Sequence, residues 1–414
     1  YGKLPFKDVV APAMALANEG FPVGAHLGQA LEEAGDAAPA LSQSLFGLKW
    51  VPQRGAMVQR GNLAETLDRL SRKGAPGLMK GEIAADIVSA VQEAGGILTE
   101  ADLRAYTVRQ REPVVGAYRG WTVVTMPPPS SGGVVLLQVL SVLEEGEMPA
   151  SQSAALYHRL AEAMKHAFSD RARYMGDPDR VDVPVKRLLS KERIRSIQED
   201  YDPQRTHPPE HYGTPADAGQ DAGTQHISAL DSDGLAVALT TTINTSFGSR
   251  VVAPQSGILL NNEMDDFVAR PGVPNHYGLV GSEANAVSPG ARPLSSMSPT
   301  ILISPDGKER IVIGASGGPF IISSTLQVII NIIDFGMDPS EAVSAPRMHH
   351  QWAPNVLFVD VGTSPDSIEK LQQLGHTVTL KDFYSSVQVI RGTAEHFEGA
   401  SDPRKGGWPE GVGP

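Results

Sequence analysis

A threonine stands where a polar run ends and a strand pattern begins, at Gly223-Thr224-Gln225-His226. If the Gly223–Thr224 peptide were cut, Thr224 would carry both a nucleophilic hydroxyl and a free α-amine. Such an amine titrates near neutrality, so it can take the hydroxyl proton itself and no histidine is required. Glycine on the acyl side tolerates the strained backbone that attack by the adjacent hydroxyl needs. The same spacing also describes a plain strand-start threonine after a surface loop.

Three further segments carry polar chemistry. Thr240-Thr241-Thr242-Ile243-Asn244-Thr245-Ser246 makes one strand face polar, either as a donor-lined site or as an exposed edge rich in threonine for its β propensity. Asn261-Asn262-Glu263-Met264-Asp265-Asp266 sets three carboxylates beside apolar Ile258, Leu259 and Leu260. They could clamp an ammonium group or form a solvated acidic turn, and they lack the alternation and glycine of a calcium loop. Ser316-Gly317-Gly318 lies between strand and helix patterns, where consecutive backbone N–H groups at a helix start can hold a carboxylate or an oxyanion. Its glycine spacing matches no phosphate-binding fingerprint. His349 and His350 are sequence neighbours that point apart, which reads as surface or core histidines rather than a metal pair.

The elements that must position these groups are legible from periodicity. Leu63, Leu67 and Leu70 form one helical stripe, and Ile83, Ile87 and Val91 another that stops at Gly95-Gly96. Thr99 with Asp102 reads as a helix cap. A hairpin is expected over residues 114–126, turning at Arg119-Gly120, and Pro127 to Gly133 launches an apolar helix to Leu143. A long helix follows over 154–173. Residues 199–223 crowd Asp, Glu, Gln, Pro, Gly and His and read as a mobile linker. Strands are expected at 224–230, 235–244, 300–304 and 309–314, and a buried helix carries Val328, Ile329, Ile332 and Ile333. The apolar stretch 311–335 is interrupted by Gly317, Gly318, Pro319 and Asn331, so it reads as strand, turn and helix rather than a membrane span.

Composition narrows the partners. The 414 residues contain no cysteine, which removes disulfide scaffolds, thiolate metal sites and cysteine nucleophiles. A formal net charge of −12 without a long basic run argues against nucleic acid. The chain opens Tyr1-Gly2-Lys3-Leu4-Pro5, with no initiator methionine and no signal core, which is read as a beginning removed by processing or truncation.

Together these segments resemble the γ-glutamyltransferase family of N-terminal-nucleophile hydrolases, and the likeness runs nearly the whole chain. It includes Pro127 to Gly133, Gly223-Thr224-x-His226, Asn244 to Gly248, Gly257 to Phe267, Pro293 to Thr300, Gly317-Gly318, Pro346-Arg347-Met348-His349-His350 and Gly399-Ala400-Ser401-Asp402-Pro403-Arg404. The resemblance implies an α+β fold, a four-layer αββα sandwich, here without the family's N-terminal part. It implies a precursor cut at Gly223–Thr224, with residues 1–223 belonging to a large subunit and 224–414 forming a small subunit within one fold. Thr224 would attack a γ-glutamyl amide of the glutathione type, Thr242 would hydrogen-bond it, and Gly317 and Gly318 would hold the oxyanion. Asn244, Glu263 and Asp266 would grip the α-amine, and Ser295 and Ser296 the α-carboxylate. Residues 271–277 would form a lid gated by Tyr277 with Asn244 as latch. The glutamyl group would pass to water, an amino acid or a peptide, with no metal and no cofactor. A periplasmic or extracellular location is implied. The family arginine that pairs the α-carboxylate has no counterpart in this chain, so none is assigned. The rival readings are a glutaryl (cephalosporin) acylase on the same scaffold and an unprocessed inactive homologue.

Overall fold

The computed structural model describes residues 2–213, 223–270, 272–382 and 385–412. By contacts the chain divides into two units, residues 1–110 with 245–262, and residues 111–244 with 263–414. None of the described helices is long and apolar enough to cross a membrane.

The first unit is mainly helical. The two predicted leucine and isoleucine stripes lie on helices Gly61–Lys73 and Glu82–Glu93. Thr99 and Asp102 form a reciprocal capping box at Glu100–Ala105. Phe247 packs into a small core with Leu31, Leu41 and Leu45. Asp86 fastens the 245–262 stretch within this unit, because both the backbone N–H and the hydroxyl of Ser256 donate to its Oδ2 at 2.7 Å.

The second unit is built on a six-stranded antiparallel sheet. Its spatial order is Phe397–Ser401, Ser386–Gly392, Arg310–Ser316, Thr300–Ile303, Trp121–Thr125 and Val114–Tyr118. The sheet therefore takes strands from both sides of the 223/224 junction. Arg310–Ser316 reads as an apolar run because it is central and buried on both faces. The apolar helices Gly132–Leu143 and Phe320–Ile333 cover one face, and Ala154–Tyr174 packs outside the first of them. The other face receives a two-stranded ladder, Thr224–Leu230 with Ala236–Thr242, in which Thr224 is opposite Thr242. Helix layer, sheet and ladder are the α, β and β layers of an α+β sandwich. The ladder's alternation puts Thr224 and His226 inward, while Ile227 and Leu239 face outward at 57% and 50% exposure.

One close approach fixes how the ladder sits. Gly314 on the central strand lies under the imidazole of His226, and a Cβ there would come within 2.3 Å of the ring. A side chain at 314 would lift the strand that begins with Thr224.

The strand boundaries follow the sequence reading within two residues. The expected linker departs from it in its first half. Helix Lys191–Asp200 runs into that segment, a short helix forms at Pro209–Tyr212, and Tyr212 is 4% exposed with its hydroxyl donating to Glu162. Polar composition hid this because the stretch packs through one aromatic and several histidine contacts instead of aliphatic periodicity. The expected mobility falls on 214–222, which lie outside the described residues, as does Pro271 at the head of the expected lid.

Candidate active site

Ten of the eleven residues singled out above, all but Gly317, fall on separate segments that meet around one cavity or beside it. The cavity is lined by Thr224, Thr242, Asn244, Glu263, Asp266, Tyr277, Ser295, Ser296 and Gly318, with Met297 and Ile321 as apolar neighbours that the sequence reading missed. Gly223 stands directly before Thr224. Gly317 sits behind Gly318, outside the lining.

The hydroxyls of Thr224 and Thr242 are 3.0 Å apart. Thr242 also lies 3.4 Å from the Gly223 carbonyl oxygen, to which its hydroxyl donates, and it accepts the Asn244 N–H at 2.8 Å. Asn244 holds a left-handed φ of 75°, which turns the chain out of the ladder just past Thr242. The Gly223 N–H donates to the Asn244 carbonyl at 2.5 Å and the Gly223 carbonyl accepts the Ile243 N–H at 3.3 Å, so the Gly223–Thr224 peptide is held against the ladder end. His226, buried between Thr240 and Ser228, is pushed down to about 4 by burial and stays neutral. It is a packing histidine, not a base for Thr224.

On the opposite wall, Gly317 and Gly318 link the central strand to the helix Phe320–Ile333. Their φ values of 133° and 55° are glycine territory. Cβ atoms there would meet Ser385 at 2.8 Å and the Tyr277 ring at 2.7 Å. Among the described residues neither N–H donates to a protein acceptor, and both lie at the positive end of a four-turn helix. N–H groups so placed can hold an anion.

Two carboxylates come from the short turn Glu263–Asp266. Burial, then the charge of Glu263, push Asp266 up to about 7, against the lowering influence of Arg171. Burial pushes Glu263 up to about 6. A buried pair of this kind favours a bound cation, which would restore both charges. The third acid, Asp265, does different work: its Oδ2 accepts the His276 N–H at 2.9 Å and so ties down the loop that carries Tyr277. The Tyr277 hydroxyl donates to the backbone oxygen of Asn244 at 2.7 Å.

Ser295 and Ser296 are positioned by the Pro-Ser-Gly segment at 127–133. Ser131 donates to the Ser295 carbonyl from both its N–H and its hydroxyl at 2.8 Å, and Ser295 N–H donates to the Pro129 carbonyl at 2.9 Å. Gly132 admits this contact, because a Cβ would fall 2.4 Å from the Met297 carbonyl. Sequence reasoning missed Arg171. Its Nε donates to the Ser131 hydroxyl at 2.9 Å, it is 4% exposed, and Asp266 is its charge partner. Nothing in the run Asp170-Arg171-Ala172-Arg173 distinguishes the inward arginine from the outward one.

Behind the paired glycines, Arg347 and Asp402 pair at 2.6 Å with no exposure, and Arg347 also donates to the Ser385 carbonyl at 3.0 Å. Arg404 bridges Asp402 and Asp360 at 3.1 and 2.7 Å. Breaking such a buried pair costs about 3–5 kcal/mol, and here it would loosen the residue that backs Gly317. His349 is core, held between Ser323 and Gln351 and pushed down to about 3 by burial.

A threonine heading an inward strand, paired glycines ahead of a facing helix and a sandwich of helices on antiparallel sheet define the class of N-terminal-nucleophile hydrolases. The profile of the Gamma-glutamyltranspeptidase family matches residues 1–412, and the chain belongs to that family. It is 44% identical to the glutathione hydrolase proenzyme of Escherichia coli (strain K12) over 415 residues, covering 98% of this chain and 71% of that protein. It is 36% identical to glutathione hydrolase 2 of Arabidopsis thaliana, covering 99% of this chain and 75% of that one. Among solved structures, a cephalosporin acylase from Bacillus halodurans superposes with a TM-score of 0.84 at 27% identity, over 98% of this chain and 74% of that chain.

A Gly318→Ala protein keeps the backbone N–H but is expected to lose about 10²-fold or more in turnover, because its Cβ would fall 2.7 Å from the Tyr277 ring at a φ of 55° and so displace that N–H. Steady-state rates on a γ-glutamyl anilide check it, and near-normal turnover would remove Gly318 from the anion hole.

Proposed function

We propose that Thr224, freed by self-cleavage of the Gly223–Thr224 peptide, is the nucleophile that transfers γ-glutamyl groups from glutathione-type amides to water, amino acids or peptides. The observation that carries this reading is one cavity lined by the buried Thr224, the carboxylates of Glu263 and Asp266, and Gly318, with Gly317 directly behind Gly318.

In self-cleavage the Thr224 oxygen attacks the Gly223 carbonyl carbon while Thr242 hydrogen-bonds the carbonyl oxygen. The C–N bond breaks, the Thr224 nitrogen takes the hydroxyl proton, and water hydrolyses the resulting ester. Residues 1–223 and 224–414 then act as large and small subunits of one body. In turnover, the new α-amine takes the hydroxyl proton as Thr224 attacks the γ-carbonyl. The negative oxygen is held by the N–H groups of Gly317 and Gly318. The leaving amine recovers the proton, and water or an acceptor amine repeats the sequence in reverse. Asn244, Glu263 and Asp266 bind the α-ammonium, and Ser295 and Ser296 the α-carboxylate. Arg171 braces both groups through Ser131 and Asp266.

The cavity holds only about 20 Å³, enough for one water. Substrate therefore enters when Tyr277 releases the Asn244 carbonyl and swings away from Gly318. By family resemblance we place the protein in the periplasm or outside the cell.

The likeness to a cephalosporin acylase supports a second reading, a glutaryl acylase. A glutaryl chain lacks the ammonium and would leave Glu263 and Asp266 to be buried against methylenes. The test compares kcat/KM on γ-glutamyl and glutaryl anilides. A preference for γ-glutamyl of about 10²-fold or more is expected, since one unmatched buried charge costs about 2–5 kcal/mol. Equal rates, or faster glutaryl release, would overturn the assignment.

A further inference from the structure

Away from the Thr224 cavity, the second unit gathers two groups of metal-ligand side chains from distant parts of the sequence. In the first, His158, Glu162 and His376 are all buried. The ammonium of Lys165 is already 2.9 Å from Glu162, His158 and His376 share a hydrogen bond at 2.7 Å, and the Tyr212 hydroxyl takes the second carboxylate oxygen. A metal ion there would face a buried ammonium, so this group is a closed network with its cation built in.

Among the described residues, the second group has no ammonium or guanidinium paired with its carboxylate. His166 Nε2 and His211 Nε2 both lie against the same Oδ2 of Asp200, at 2.9 and 2.6 Å. His207 Nε2 lies 3.3 Å from the Asp200 backbone oxygen. The ligand atoms of Asp200, His207 and His211 are all within 4.8 Å of one another. The nearby cation, Arg193, is turned to Asp170 at 2.8 Å. Side-chain exposures of 30% for Asp200 and 35% for His211 leave an entry path from solvent, while His166 at 13% anchors the inner side.

Two imidazoles and one carboxylate, with a fourth position for water, form a donor set of borderline-soft transition metals, and one carboxylate is too few oxygens for calcium. With metal–nitrogen bonds of about 2.0–2.1 Å, tetrahedral ligand atoms stand roughly 3.3 Å apart. The 2.6 Å contact between His211 and Asp200 needs only sub-ångström widening to reach that. His207 and His211 stack face to face at 4.2 Å, so one of the two rings must turn about its χ2 to share an ion.

We propose that Asp200, His207 and His211 form a site for a divalent transition metal of the zinc class, with His166 holding the Asp200 carboxylate from the inner side. His166 lies on Ala154–Tyr174, and Asp200 ends Lys191–Asp200. His207 and His211 lie on the segment that leads to Gly223. The ion staples that segment to Asp200, and through it to His166, independently of the chemistry at Thr224.

Titrating the metal-free full chain with Zn²⁺ by calorimetry is expected to show one equivalent bound, and Co²⁺ is expected to develop the intense visible band of tetrahedral coordination. Asp200→Asn and His211→Ala should each weaken binding about tenfold or more and abolish the band, with circular dichroism of the metal-free proteins unchanged. No binding by the parent chain, an octahedral cobalt spectrum, or undiminished affinity in both variants would overturn the site.

Discussion

A Thr224→Ala protein is expected to remain a single uncut chain on a denaturing gel and to release no anilide from a γ-glutamyl substrate. The predicted loss of turnover is at least about 10³-fold, because removing a nucleophile removes the covalent route and leaves only the anion hole and binding. Two functions are lost together, since the same oxygen would attack the Gly223 carbonyl and later the substrate. Thr224→Ser separates them from folding: it keeps the oxygen 3.0 Å from Thr242 and should retain slow cleavage and slow turnover. Cleavage at the normal rate in Thr224→Ala, read by intact mass, would show that another group cuts the chain.

Asp266→Asn is expected to lower kcat/KM for γ-glutamyl substrates by about 10²- to 10³-fold, mostly through KM, because truncating one side of a buried charge pair costs about 2–5 kcal/mol. The pH dependence carries the sharper signature. With Asp266 raised to about 7 and Glu263 to about 6, the empty cavity holds protons that an ammonium ligand must displace. KM should therefore fall as pH rises through 6–7 and level off above it, and Asp266→Asn should flatten that profile. The folding linkage has the opposite sign. Both pKa values are raised in the native state, so their contribution to stability is full below the ordinary carboxylate range and is lost as pH rises through about 6–7. Inhibitor affinity and thermal midpoint should thus move in opposite directions over the same window. Parallel movement would remove Asp266 from the ammonium site.

Much of the fold was legible in sequence because its signals are local. Apolar period and turn chemistry located Val114–Tyr118, Trp121–Thr125, Thr224–Leu230 and the strand–turn–helix at 310–333. Polar packing was not legible. Tyr212 seats the end of the supposed linker by a single hydroxyl to Glu162, and no hydrophobic pattern announces such a contact. His349 and His350 could be separated from a metal pair because adjacent residues point apart. Asp200, His207 and His211 could not be joined, nor His166 set behind Asp200, since only the packing of two helices and a turn brings them together.

By itself the sequence determined which atoms could do chemistry: a threonine hydroxyl after a glycine, carboxylates in one turn, paired glycines ahead of a helix. Those are properties of residue type and spacing, and they survive without a fold. Tertiary structure decided what state those atoms are in. The ladder register sets Thr224 against Thr242, burial raises Asp266 to about 7, and Arg171 is turned inward to Ser131 while its neighbours on the helix are not needed there. Register, desolvation and side-chain direction depend on what lies across the sheet or the next helix, and a linear reading does not contain those neighbours.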